Sequence, residues 1–105
     1  MSTTVTLWAA TVESLEVSIS TDADPTATPP EFALSTAGAT SPGSFSQGAW
    51  SGAWDVSTER TTARTPTIGG SGTLTVTSGA SYLLWAKVTL GSEVAVWPVG
   101  SIRIP

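Results

Sequence analysis

The sequence predicts an all-β protein, an immunoglobulin-like antiparallel β-sandwich of about seven strands in one domain spanning residues 1–105. Three observations point there. Apolar residues recur at every second position through most segments, which is the period of a half-buried strand. Clusters of Gly, Pro and Ser interrupt the chain at intervals of roughly 8 to 15 residues, the spacing of short strands joined by turns. With 105 residues and 40% hydrophobic composition, the chain can bury one core and has no length for a second. It has no cysteine, so the disulfide of antibody-type domains is impossible and the fold rests on packing or assembly.

The closing stretch Ser81 to Pro105 (SYLLWAKVTLGSEVAVWPVGSIRIP) reads as a long β-hairpin around which the rest packs. Tyr82, Leu84, Ala86, Val88 and Leu90 share one side, and Leu83, Trp85, Lys87 and Thr89 the other. After a Gly91-Ser92 turn the alternation resumes. Val94, Val96, Ile102 and Ile104 are expected on the apolar face, and Ala95, Trp97, Val99, Ser101 and Arg103 on the mixed one. Pro98 breaks the second ladder and, with Gly100, signals a bulge, an edge or a strand that switches sheets. A two-stranded ribbon is marginal alone, so upstream segments must supply sheet partners and a second layer.

Taken in order, Thr3 to Trp8 alternates weakly and predicts a first strand. Leu15, Val17 and Ile19 against Glu16, Ser18 and Ser20 predict a second, starting as early as Val12. Helix competes for Ala9 to Leu15, but no capping box or closing glycine frames it, and β-branched residues follow at once. Thr21 to Pro30 holds two Asp and three Pro in ten positions and reads as a loop. Glu31 to Thr36 follows as a short strand with Phe32 and Leu34 inward. Ala37 to Gln47, built of small residues, is the candidate for a flexible or arm-like insertion with Phe45 as its anchor.

Gly48 to Val56 repeats Gly-Ala-Trp four residues apart, which on a strand places Trp50 and Trp54 on one face together with Gly48 and Gly52. Those rings are expected in the core or an interface rather than as a ligand platform. Glu59 to Thr65 carries Arg60 and Arg64 on one strand face, the pattern of a solvated edge or of a contact with an acidic partner. Pro66 ends it, Ile68 to Gly72 turns, and Thr73 to Thr77 is a further expected strand with Leu74 and Val76 inward.

Composition excludes much. Four basic against eight acidic residues, net −4, cannot neutralise a run of phosphates or an anionic bilayer, so no nucleic acid and no membrane partner is expected. No apolar run approaches the roughly 20 residues of a membrane-spanning helix. The N-terminal twenty residues lack a basic start and carry Glu13 and Glu16, so no signal peptide is expected. Histidine is absent, which removes the commonest general base and transition-metal ligand. Asp22 and Asp24 lack the Gly-framed spacing of a calcium loop, the carboxylates form no hydrolase pair, and no nucleophile or phosphate-binding motif is present. The expectation is a non-enzyme with no catalytic residues, no cofactor and no metal. A carbohydrate-binding β-sandwich module remains as an alternative, requiring two or more of Trp50, Trp54, Trp85 and Trp97 in one exposed plane, though few polar groups are available to fix sugar hydroxyls.

From Gly48 to Pro105 the chain resembles small immunoglobulin-like virion structural proteins of tailed phages and prophages of actinobacteria. The carriers are a Trp-containing strand (GAWSGAW), an Arg/Thr strand (ERTTART), a turn into a Tyr/Trp strand (SYLLWAKVTL) and a closing strand with a proline before a Val-Gly pair (SEVAVWPVGSIRIP). Tyr82, Trp85, Lys87, Val88, Glu93 and Pro98 match the relatives' Tyr-Xaa-Val-Trp-Val-Arg-Val-like pattern, although here the turn is poorer in acid and the proline falls later. The resemblance implies a virion protein made in the host cytoplasm, most simply a capsid decoration protein touching the major capsid protein and copies of itself. The alternative it leaves is a head-to-tail connector or tail accessory protein. With charged residues at only 11%, a surface covered by neighbours is expected. The mixed face of the hairpin, with Trp85, Trp97, Val99, Lys87 and Arg103, is the leading interface candidate, and the Trp50 and Trp54 strand the second.

Overall fold

Ten residues from Ser81 to Leu90 and eleven from Glu93 to Arg103 form the two longest strands, joined by the expected Gly91-Ser92 turn with Gly91 at φ 60°. A computed structural model describes the chain at residues 3–8 and 10–105. In chain order the strands are β1 (Thr3–Thr6), β2 (Glu16–Ser20), β3 (Glu31–Thr36), β4 (Ser46–Gln47), β5 (Ala49–Trp50), β6 (Arg60–Arg64), β7 (Ser81–Leu90) and β8 (Glu93–Arg103). No helix occurs among the described residues. Ala9 lies outside them, and from Ala10 to Leu15, where helix was the competing expectation, the chain makes a turn and the single bridge Glu13 to Ile68.

Two sheets form the sandwich: a five-stranded one in the order β1-β8-β7-β3-β4 and a three-stranded one in the order β2-β6-β5. All pairings are antiparallel except β1, which runs parallel to the end of β8 from Gly100 to Arg103. That is the immunoglobulin arrangement, with β8, β7, β3 and β4 in the places of strands G, F, C and C′ facing β2, β6 and β5 in those of B, E and D. A further mark of the class stands at the start of β7: the Thr77 amide donates a 2.9 Å hydrogen bond to the Tyr82 phenolic oxygen, the corner by which a tyrosine ties strand F to the chain just before it. Where antibody domains place a cysteine two residues later, this chain has buried Leu84.

The core lies between the sheets. Phe32, Ile19, Ile68, Ile102, Ile104 and Val88 are its largest fully buried apolar side chains. The alternation read from the sequence places Phe32, Leu84, Ala86, Val88, Ile102 and Ile104 inward as expected.

Three local expectations fail, each for a non-local reason. The anticipated strand Thr73 to Thr77 has no ladder. Leu74 is buried and Val76 packs on the core, but the segment closes a local loop through Leu74 N to Thr67 O and Gly69 N to Leu74 O, both 2.9 Å. The strand expected over Gly48 to Val56 is cut to Ala49–Trp50, and Ser46–Gln47, expected in the loop, pairs with β3 as β4, because the chain crosses from one sheet to the other at Gly48. Its amide still bonds Pro30 O of the first sheet at 2.8 Å, while Ala49 and Trp50 already pair with β6. The crossing demands glycine: a Cβ there would lie 2.5 Å from Arg64 O and 2.7 Å from the Phe32 ring. After Trp50 regular pairing ends, so Trp54 does not continue a shared strand face with it.

The third correction bears on function. Leu84 pairs with Gly100 but Trp85 pairs with Pro98, so Val99 is one extra residue on β8, a β-bulge. A bulge reverses the parity of everything before it. Trp97 therefore stands opposite Ala86 on the core side, and Val94 and Val96, expected inward, face out opposite Thr89 and Lys87.

Candidate interaction surface

The outward face of the five-stranded sheet is built from alternate residues of β3, β7 and β8. Leu83, Trp85 and Lys87 stand along β7, beside Ser35, Ala33 and Glu31 of β3 on one flank and Ser101, Pro98 and Val96 of β8 on the other. Trp85 is half-buried, and its indole N–H donates to Ser35 Oγ at 2.8 Å, which fixes the ring across the sheet. Ala33, its partner on β3, is fully buried although it points away from the core, as a ring of that size in the adjacent position requires. Val94 is 55% and Val96 43% exposed.

At the centre of this face charge is already balanced. Lys87 Nζ lies 3.6 Å from Glu31 Oε2 and 5.5 Å from the centre of the Phe45 ring, so it neutralises a neighbour and covers an aromatic face instead of presenting a bare cation. Phe45, expected as an anchor, is thus held from the β7 side. Arg103 remains on the outward face at the far end of β8, exposed, opposite Ser81.

The opposite surface contrasts with it. On the outer side of the three-stranded sheet Glu16, Ser18, Ser20, Arg60, Thr62 and Arg64 are all exposed, with Arg64 Nη2 3.0 Å from Glu16 Oε1. That is a hydrated, ion-paired surface; Arg60 and Arg64 are solvated, but they stand on the central strand of their sheet, between β2 and β5, and not on the edge their spacing suggested.

The remaining candidates turn inward. Trp97 and Val99 pack against the core, and Val99 also lines a cleft of about 260 Å³ where β2 parts from the β1 and β8 edge, beside Val5, Leu15, Val17 and Ile102. Trp50 packs on the core from the second sheet and donates its indole N–H to Thr28 O at 2.8 Å, tying β5 to the proline-rich loop. Trp54 is half-buried, and its indole nitrogen is shielded from solvent with no acceptor among the described residues. The four rings from which a sugar platform would draw two or more are thus spread over different surfaces: Trp85 outward from one sheet, Trp97 and Trp50 inward from opposite sheets, and Trp54 beyond the end of β5.

The structure brings Trp85, Lys87 and Arg103 onto one face and removes Trp97 and Val99 from it. It keeps Leu83 on that face, as its alternation predicts, and adds Val94, Val96 and Pro98, which sequence reasoning missed although the Pro98 to Gly100 signal for a bulge was present.

Titration changes little here. Asp24 and Asp55 both lie away from the face, and both carboxyls are held below their ordinary value. Hydrogen bonds from the side chain and amide of Thr26 lower the first, and those of Ser57 the second. No group of three or more His, Cys, Asp or Glu among the described residues is placed to hold a metal ion.

Geometry and fold together define the class, a cysteine-free immunoglobulin-type β-sandwich whose larger sheet carries exposed valines and a half-buried tryptophan on its outer face. No protein-family model, curated protein or solved structure matches this chain.

Proposed function

We propose that the chain is a non-enzymatic structural protein of a tailed-phage virion, a decoration protein bound to the capsid exterior through the major capsid protein and copies of itself. The observation that carries the reading is the apolar outward face of the five-stranded sheet, with Trp85 held by Ser35, Lys87 neutralised by Glu31, and Val94 and Val96 exposed. Exposed valines on a rigid sheet, flanked by an oriented tryptophan and little unbalanced charge, suit a surface that is covered in use. Apolar area removed from water contributes about 25 cal/mol per Å², so a modest contact repeated over a shell adds up to substantial reinforcement. The resemblance of Gly48 to Pro105 to actinobacterial phage structural proteins supplies the setting. The mechanism asks for no chemistry: the protein bridges neighbouring capsid subunits.

Quantifying the chain in purified virions tests this. High copy number, comparable with the major capsid protein, is expected. A handful of copies per particle would move the protein to the connector or tail, and its absence from virions would overturn the reading.

A further inference from the structure

We propose that the free edge of β8 from Glu93 to Pro98 pairs antiparallel with the same edge of a second copy, joining two five-stranded sheets into one. This specifies the self-contact invoked above and rests on that reading for its biological setting, while the pairing itself is read from β8.

β1 covers β8 only from Gly100 to Arg103, so Glu93 to Val99 has β7 on one side and no strand on the other among the described residues. The tight turn sets the phase of the ladder. Leu90 and Glu93 flank it as a bonded pair, and Val88 with Ala95 and Ala86 with Trp97 follow at alternate positions. The amides and carbonyls of Val94 and Val96 therefore aim at the open edge, and none has a backbone partner among the described residues. Pro98 fits the same phase: its nitrogen, which has no proton, falls at the next edge-facing position.

Natural sheets protect such edges with charge, and β2 does so, carrying Glu16 in its pair with Arg64. From Glu93 to Pro98 the only charge is at the first residue, and the outward side chains are exposed Val94, Val96 and Pro98.

A second copy answers both the backbone and the charge. With Val94 of one copy opposite Val96 of the other, the two edges exchange every free amide and carbonyl of those residues, and four valines meet on the outward face. Each Glu93 then lies at an opposite end of the ladder, whereas a parallel pairing would set the two carboxylates side by side. The contact is isologous, with a two-fold axis at Ala95, and Pro98 ends it.

Sedimentation equilibrium of the purified protein, with amide hydrogen exchange, tests the pairing without any virion. The mass is expected to rise with concentration from 10.7 kDa toward twice that, with protection gained at the Val94 and Val96 amides. Val96→Pro removes an edge donor and takes nothing from the β7 ladder, and should weaken association roughly tenfold or more, since two hydrogen bonds per pair are lost. Should Val96→Pro fail to fold, Val94→Lys, on an exposed side chain, carries the same expectation. A monomer at all concentrations overturns the proposal, as does a dimer whose Val94 and Val96 amides stay unprotected or that Val94→Lys leaves intact. Pairing in solution by a protein absent from virions would remove the virion reading and leave this one standing. A particle-bound protein that never pairs would do the reverse.

Discussion

Trp85 and Trp97 stand on adjacent strands of one sheet and point to opposite sides of it, because Val99 is inserted between the register of Leu84 with Gly100 and that of Trp85 with Pro98. One tryptophan is left for the surface and the other for the core. Replacing each by alanine separates the roles. Trp97→Ala should cost about 2–3 kcal/mol of stability, less than a fully buried ring because Trp97 is half-buried. Trp85→Ala should cost about half as much, since it loses packing over Ala33 and the bond to Ser35 but opens no core cavity. Urea unfolding of the two variants reads the difference; a larger loss for Trp85→Ala would contradict the facing.

The other tryptophan pair differs in its indole nitrogens. Trp50 Nε1 donates to Thr28 O, while Trp54 Nε1 is shielded without an acceptor. Trp50→Phe should therefore lose about 0.5–1.5 kcal/mol, the net worth of the bond, since the exposed Thr28 carbonyl can turn to water. Trp54→Phe removes a donor that is not satisfied in the fold, and thermal melts should place it within about 0.5 kcal/mol of the parent.

Gly48 is required where the chain changes sheets. Gly48→Ala would press a methyl group against Arg64 O and the Phe32 ring, both well inside contact distance. A loss of about 1–3 kcal/mol is expected, with the denaturant slope unchanged because the fold is strained and not opened. Gly38 and Gly79 serve as controls for added bulk, since a Cβ at either meets nothing within 4 Å; Gly38 is the cleaner, as Gly79 sits at φ 84°.

Acid stability should depend on two loop carboxylates. Asp24 and Asp55 accept hydrogen bonds from Thr26 and Ser57 and are held below their ordinary 3.8 in the folded chain. A depressed folded value means that the unfolded chain binds more protons through the window between the two values. Their contribution is thus complete above about pH 4 and is lost as pH falls through the lowered folded values. Melting temperature should fall less steeply below pH 4 in Asp24→Asn and Asp55→Asn than in the parent.

The sandwich was legible because its strongest signals are local. Strands β3, β6, β7 and β8 show period-two alternation in their own residues, and Gly91-Ser92 marks its own turn. What escaped depends on neighbours distant in sequence. Whether Leu74 and Val76 belong to a strand is decided by the absence of a ladder partner, and the crossing between sheets at Gly48 by where Phe32 and β6 stand around it. The interface face was misread for a subtler reason. Pro98 and Gly100 did signal a bulge, but alternation was continued through it, which exchanged Trp97 with Val94 and Val96. Trp85 and Lys87, on the unbulged strand, were placed on the correct face.

Particle occupancy by Trp85→Ala tests the outward face most directly. The variant should remain folded, with the parent's circular dichroism and a cooperative melt, yet bind purified capsids at clearly reduced copy number. A folded Trp85→Ala protein that fills particles to the parent's level would contradict the assignment and place the contact on another surface.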